Sequence, residues 1–111
     1  MNALIPAGFP YAPVHYGPDL DGVQAVFRFS NGYGASVIRH RRSYGTELAV
    51  ARFTGEGHND WDFASDVLTD VGDGHGIIGW IASPDELATL LGRIEALPAP
   101  IEPAKVSEIE A

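Results

Sequence analysis

Val23-Gln24-Ala25-Val26-Phe27-Arg28-Phe29-Ser30-Asn31-Gly32-Tyr33-Gly34-Ala35-Ser36-Val37 carries the strongest local signal in the chain. Val23, Ala25, Phe27 and Phe29 fall on alternate positions, separated by Gln24 and Arg28, with Val26 as the exception. Successive side chains of a strand point to opposite faces, so this alternation predicts a strand with one buried face. Ser30-Asn31-Gly32 then supplies residues that tolerate the positive φ a tight reversal needs. Asn-Gly between two apolar runs is the strongest short-range hairpin signal. The return strand is predicted over 33–40. Arg41-Arg42-Ser43-Tyr44-Gly45 reads as a loop, and a third strand follows over 46–53 with Leu48 and Val50 on one face.

The partner for that sheet lies further along. Ser83 stands where an N-cap belongs, Pro84 at the first helical position and Glu86 three residues after the cap, which together make a capping box. Leu87, Leu90, Leu91, Ile94 and Leu97 then form one apolar stripe, opposite Glu86, Thr89 and Arg93. Gly92 costs a helix about 1 kcal/mol relative to alanine and points to close packing at that position. Pro98 and Pro100 end the helix, predicted over 84–97. The expected fold is therefore α+β: a small antiparallel β-meander packed against one C-terminal α-helix, with extended proline-rich termini. The expected core is Phe27, Phe29, Val37, Leu48, Val50, Trp80, Leu87, Leu90, Leu91 and Ile94.

Three regions divide the chain: an extended arm at 1–18, a single α+β domain at 19–97 and an acidic, proline-containing tail at 98–111. Phe9, Pro10, Tyr11, Pro13, Tyr16 and Pro18 give the arm its character. Proline removes backbone donors, so neither helix nor central strand is expected there, while the aromatics need a surface to cover. Between 54 and 74, turn-forming glycines and aspartates bracket Trp61-Asp62-Phe63 and Val67-Leu68. Residues 75–81 fit neither helical nor strand periodicity, and read as a short buried strand or an irregular turn.

Composition bounds the function. The 111 residues include thirteen glycines, eight prolines and no cysteine, which excludes disulfide scaffolds, thiolate metal sites and cysteine nucleophiles. No apolar run is long enough to cross a bilayer, and the amino-terminal stretch lacks a basic leader, so the cytoplasm is the expected compartment. The formal charge of −8 suits non-specific nucleic-acid binding poorly. It is unevenly spread: residues 1–54 carry five arginines against Asp19, Asp21 and Glu47, and residues 55–111 carry twelve acids against Arg93 and Lys105.

Several constellations could carry chemistry. His58, Asp60, Asp62, Asp66, Asp70, Asp73 and His75 offer oxygen and imidazole ligands, but their spacing matches neither a calcium loop nor a paired-histidine helix, and turn formation accounts for them as well. Asp73-Gly74-His75-Gly76 lacks the lysine and hydroxyl residues of a phosphate loop. Ser43, His40 and an aspartate could be drawn as a triad, without any nucleophile elbow to support it. Arg28, Arg39 and Arg52 lie on three expected neighbouring strands, and with Arg41, Arg42 and Tyr44 they could form a basic patch with an aromatic edge. The candidate interaction surface is Arg39, Arg41, Arg42, Tyr44, Asp60, Trp61, Asp62 and Asp66. No catalytic, cofactor-binding or metal-ligating residue is assigned.

Asn31-Gly32-Tyr33-Gly34-Ala35-Ser36-Val37-Ile38-Arg39, Ser43-Tyr44-Gly45, Glu47-Leu48-Ala49-Val50 and Ile78-Gly79-Trp80-Ile81, running into the capped helix, resemble a group of small uncharacterised accessory proteins of actinobacterial tailed phages. The resemblance covers about residues 24–97, and the loop at 58–75 is longer here than in that group. It implies a phage accessory protein made in the cytoplasm of an infected bacterium, and brings no catalytic residue with it. The expected function is non-enzymatic binding of a host or defence macromolecule through exposed aromatics and the acidic segment. The expected partner is a host or phage protein, with neither membrane nor direct non-specific nucleic-acid binding, and a homo-oligomer is compatible. The alternative is a small virion or assembly protein whose arms contact neighbouring subunits. A small nucleotide- or metal-binding enzyme is the third reading.

Overall fold

The computed structural model of the chain describes residues 4–99. It contains β1 (His15–Asp19), β2 (Gly22–Arg28), β3 (Tyr33–Arg39), β4 (Glu47–Phe53), β5 (Trp61–Phe63), β6 (Ile77–Ile78) and α1 (Pro84–Glu95). The fold is α+β: all the strands join one antiparallel sheet in the order β1-β2-β3-β4-β5, with β6 also on β4, and α1 covers one face. The tail expected from 98 onward lies outside the described residues except for Pro98 and Ala99, as does the start of the arm.

The central hairpin forms where its pattern predicts, but its turn has a different geometry. Phe29 N donates to Tyr33 O (2.8 Å) and Gly32 N to Phe29 O (3.2 Å), so the loop has three residues. Gly32 has φ +90° whereas Asn31 is not in the positive-φ region. This is the three-residue hairpin, in which only the last loop position must be left-handed, rather than the two-residue turn that asks it of both. Asn31 is thereby freed to use its side chain. Its Nδ2 donates to the carbonyl oxygens of Ile94 (2.9 Å), Glu95 (3.1 Å) and Leu97 (3.0 Å), and its Oδ1 accepts from Tyr33 N (3.0 Å). The hairpin tip therefore caps the carboxyl end of α1, where helices leave carbonyls short of partners; of the three, Ile94 O also accepts from Leu97 N (3.2 Å).

At the other end of α1, the Ser83 hydroxyl accepts from Glu86 N (3.2 Å). The Glu86 carboxylate reaches back to Ala82 N (3.0 Å), one residue before the cap rather than the cap itself. Leu87, Leu90, Leu91 and Ile94 are buried against Ala25, Phe27, Ala35, Val37, Leu48 and Val50. Each such side chain contributes about 2 kcal/mol through removal from water. The arm completes this face: Leu4 is buried, and Phe9 and Tyr11 pack against the core. Tyr11 Oη lies 3.3 Å from where a Cβ on Gly92 would sit, so the arm's tyrosine packs closely over this helical glycine. Positions 15–18 of the expected arm instead form most of β1, an edge strand that accommodates Pro18.

β5 and β6 lie end to end along one edge of β4. Val50 marks the handover: its N–H donates to Gly76 O (2.9 Å) and its carbonyl accepts from Ala64 N (2.9 Å). The intervening segment swings over the core face, burying Ala64 and packing Val67, Leu68 and Val71. Two ion pairs hold it down, in each of which one guanidinium Nη2 donates to both carboxylate oxygens: Arg52–Asp66 (2.7 and 2.9 Å) and Arg93–Asp70 (3.0 and 2.8 Å).

Two core expectations need correction. Trp80 is 73% exposed and Phe29 only partly buried. Val26, the odd residue in the β2 alternation, is fully buried on the face away from α1, where it pairs with Ser36 on β3 and His15 on β1. A second, thinner layer forms there from small residues and rings. Phe53 packs over Gly34, the Arg28 guanidinium lies 4.5 Å from the Phe53 ring centre, and His15 and His58 stack at 3.9 Å.

Candidate functional site

The strand ends decide which loops become neighbours. At one end of the sheet lie the β1–β2 turn, the β3–β4 loop and the segment between β6 and α1. With neighbouring strands about 4.8 Å apart, these three form a row roughly 20 Å wide. Each places a large apolar side chain in water: Leu20 at 62% exposure, Tyr44 at 62% and Trp80 at 73%. Leu20 and Trp80 have φ of +53° and +55°, a left-handed conformation that costs a side-chain-bearing residue about 1–2 kcal/mol. Such strain persists only where the surroundings enforce it, and it collects at functional positions.

The enforcing contacts are visible. Trp80 N donates to Tyr44 O (2.7 Å), and Ile81 N to Thr46 O (3.0 Å), which locks the Trp80 backbone against the β3–β4 loop. The two rings lie 6.5 Å apart at 43°. The Trp80 ring sits over Gly45, and the Tyr44 Cβ over Gly79. A Cβ on Gly45 would stand 2.8 Å from Trp80 Cε3, and one on Gly79 2.7 Å from Tyr44 Cβ.

The loop beneath is similarly fixed. The Ser43 hydroxyl accepts from His40 N (3.1 Å) and shares its proton between His40 O (2.8 Å) and Gly45 O (2.6 Å). His40 Nδ1 accepts from Arg42 N (3.1 Å), and Nε2 lies 3.3 Å from Asp19 Oδ2. Ser43, His40 and an aspartate are thus close, yet both imidazole nitrogens face partners other than Ser43, so the arrangement holds a loop together rather than activating a nucleophile. Asp21 accepts from Arg41 N (3.1 Å), and that amide, with the nearby guanidinium, holds its carboxyl below the usual carboxylate range. Glu47 accepts from Tyr44 N (3.2 Å). Asp21 and Glu47 bind backbone amides, while Arg41 and Arg42, on the same loop as Tyr44, are exposed. A cavity of about 340 Å³ opens next to Ile81, lined by Leu4, Arg39, Ser83 and Leu87 among others.

The eight residues of the expected surface are divided between the two ends of β4. Arg39, Arg41, Arg42 and Tyr44 belong to the end just described. Asp60, Trp61, Asp62 and Asp66 lie at or beyond β5, which pairs with the far half of β4. Asp66 is engaged by Arg52, whose hydrogen bond holds its carboxyl below the usual range, and Asp70 is held likewise by Arg93. Asp60 accepts from Gly57 N (2.9 Å), and Asp73 from His75 N (2.8 Å). Four aspartates of the acidic segment are thus engaged within the chain, Asp60 and Asp73 by turn amides and Asp66 and Asp70 by arginines. Among the described residues, no three or more His, Cys, Asp or Glu side chains are grouped so as to hold a metal ion.

The three strand arginines do not gather. Arg39 lies at the cavity, Arg52 on the helix-side face against Tyr33 and Asp66, and Arg28 on the opposite face, donating to Gly55 O (2.7 Å). Trp61 and Phe63 make a second aromatic pair at 5.3 Å, with Phe63 61% exposed. Trp80 and Leu20 were absent from the sequence-based surface. The available signals were the failure of 75–81 to fit any period and the glycines flanking the aromatics, Tyr44-Gly45 and Gly79-Trp80. No helix among the described residues is long and apolar enough to cross a membrane. No protein-family model, curated protein or solved structure matches the chain.

Proposed function

We propose that the protein is a non-enzymatic binding module that docks a protein partner through the sheet end bearing Leu20, Tyr44 and Trp80. The observation that carries this reading is the exposed Tyr44–Trp80 pair, in which Trp80 is held at a positive φ by its hydrogen bond to the Tyr44 carbonyl. Water gives no reason to display a tryptophan at a cost in backbone energy beside a second exposed ring, whereas an interface does. Tyrosine, tryptophan and arginine are the residues that dominate interface hot spots, and anchors fixed in advance lose little entropy on binding. Exposed Arg41 and Arg42, on the loop that carries Tyr44, favour a partner surface that pairs an apolar recess with carboxylates at its rim. In the setting that the resemblance implies, the module is a phage accessory protein and the partner a host or defence protein in the infected cytoplasm.

Assembly through the arms, the alternative reading, draws less support because Leu4, Phe9 and Tyr11 are spent on the chain's own core. Capture from bacterial lysate with three baits tests the proposal: the parent chain, Tyr44→Ala/Trp80→Ala and Phe63→Ala. A stoichiometric protein retained by the first and third baits and lost by the second supports it. Equal retention by all three would overturn it.

A further inference from the structure

We infer that Asn31-Gly32 is a deamidation site held closed by folding, and that its conversion opens the carboxyl end of α1. A carboxamide is most open to attack by the next backbone nitrogen where that residue is glycine, which has no Cβ to hinder approach and samples the widest backbone range. Of the asparagines in the chain, Asn2 precedes Ala3, Asn59 precedes Asp60 and only Asn31 precedes glycine. In the reaction Gly32 N bonds to Asn31 Cγ and the Cγ–Nδ2 bond breaks. Ammonia leaves, carrying the proton that Gly32 N gave up. Water then opens the cyclic imide at either carbonyl, giving aspartate or its β-linked isomer.

In the folded chain both reacting groups are committed elsewhere. The attacking nitrogen donates to Phe29 O (3.2 Å). The leaving nitrogen donates to Ile94, Glu95 and Leu97 carbonyls, and Oδ1 is bound by Tyr33 N. Turning Cγ toward Gly32 N breaks these bonds together, so the reaction waits for an opening that separates the hairpin tip from the last turn of α1. An unfolded chain carries no such restraint.

The product cannot restore the clamp. A carboxylate has no N–H to donate, and at position 31 it would face three carbonyl oxygens at the negative end of the helix dipole. The β-linked isomer also lengthens the backbone at the hairpin tip and displaces the Tyr33 contact. Each excursion to the unfolded state therefore risks an irreversible covalent change that disfavours return, and chains that stay folded are spared it.

The test uses the full chain in mildly alkaline buffer, folded and in unfolding urea, with conversion at each asparagine followed by peptide mass mapping. Conversion at Asn31 is expected to be at least about tenfold slower in the folded chain, the factor for an opening that costs ~1.4 kcal/mol. Ile94→Ala, which loosens α1 through its buried side chain and keeps the backbone carbonyl that Asn31 Nδ2 meets, should speed the folded reaction and leave the urea rate unchanged; Leu97→Ala is the milder substitute if Ile94→Ala does not fold. Asn31→Asp should melt below the parent. Equal folded and urea rates, or a folded rate indifferent to the loosening variant, would overturn the protection. An Asn31→Asp chain that melts with the parent would overturn the consequence.

Discussion

Replacing Asn31 with alanine removes two donors and one acceptor that serve the carbonyls of Ile94, Glu95 and Leu97 and the amide of Tyr33. A hydrogen bond of this kind contributes about 1 kcal/mol net, and stranding a buried partner costs more. Three acceptors share only two N–H groups, however, and the exposed Glu95 carbonyl can turn to water. The balance is a loss of about 2 kcal/mol. In a domain of this size that lowers Tm by roughly 10 °C. Urea unfolding followed by tryptophan fluorescence, with a thermal melt by circular dichroism, measures it. The slope against urea should not change, because the surface exposed on unfolding is the same. Asn59→Ala, which sits on an exposed turn, is the control and should fall within about 0.5 kcal/mol of the parent. If Asn31→Ala is as mild as that control, water satisfies the end of α1 and the hairpin does not cap it.

Three further outcomes are expected. Gly45→Ala should cost about 1–2 kcal/mol, since φ is +60° and the new methyl meets the Trp80 ring; a shifted tryptophan emission should accompany it. Val26→Ala should cost about 2 kcal/mol in urea unfolding, as in any filled core, and an effect near zero would dissolve the second packed layer. The Arg52–Asp66 pair holds the Asp66 pKa below its unfolded value, so its stabilisation is complete above about pH 4 and disappears as pH falls through the lowered folded value. The Tm difference between parent and Asp66→Asn should therefore be present at neutral pH, small because the pair is exposed, and absent in strong acid; a difference independent of pH would exclude the ion pair as its cause.

The sequence by itself determined the elements whose cause is local. Alternation at Val23, Ala25 and Phe27, the Asn-Gly turn and the Ser83–Glu86 box are short-range patterns, and β2, β3, β4 and α1 appear within a residue or two of where those patterns place them. Tertiary structure decided the rest, because it depends on which surfaces meet. β1, β5 and β6 exist only because an edge of β2 or β4 was available to pair with. Whether Val26 was an error in the alternation or a buried residue depended on a second layer folding over the far face. Trp80 is as apolar as any core residue, and its hydrophobicity alone put it inside. A positive φ locked against the β3–β4 loop turned it outward, and no local pattern encodes that angle. The acidic run likewise read as a free surface until Arg52 and Arg93, distant in sequence, arrived to bind it.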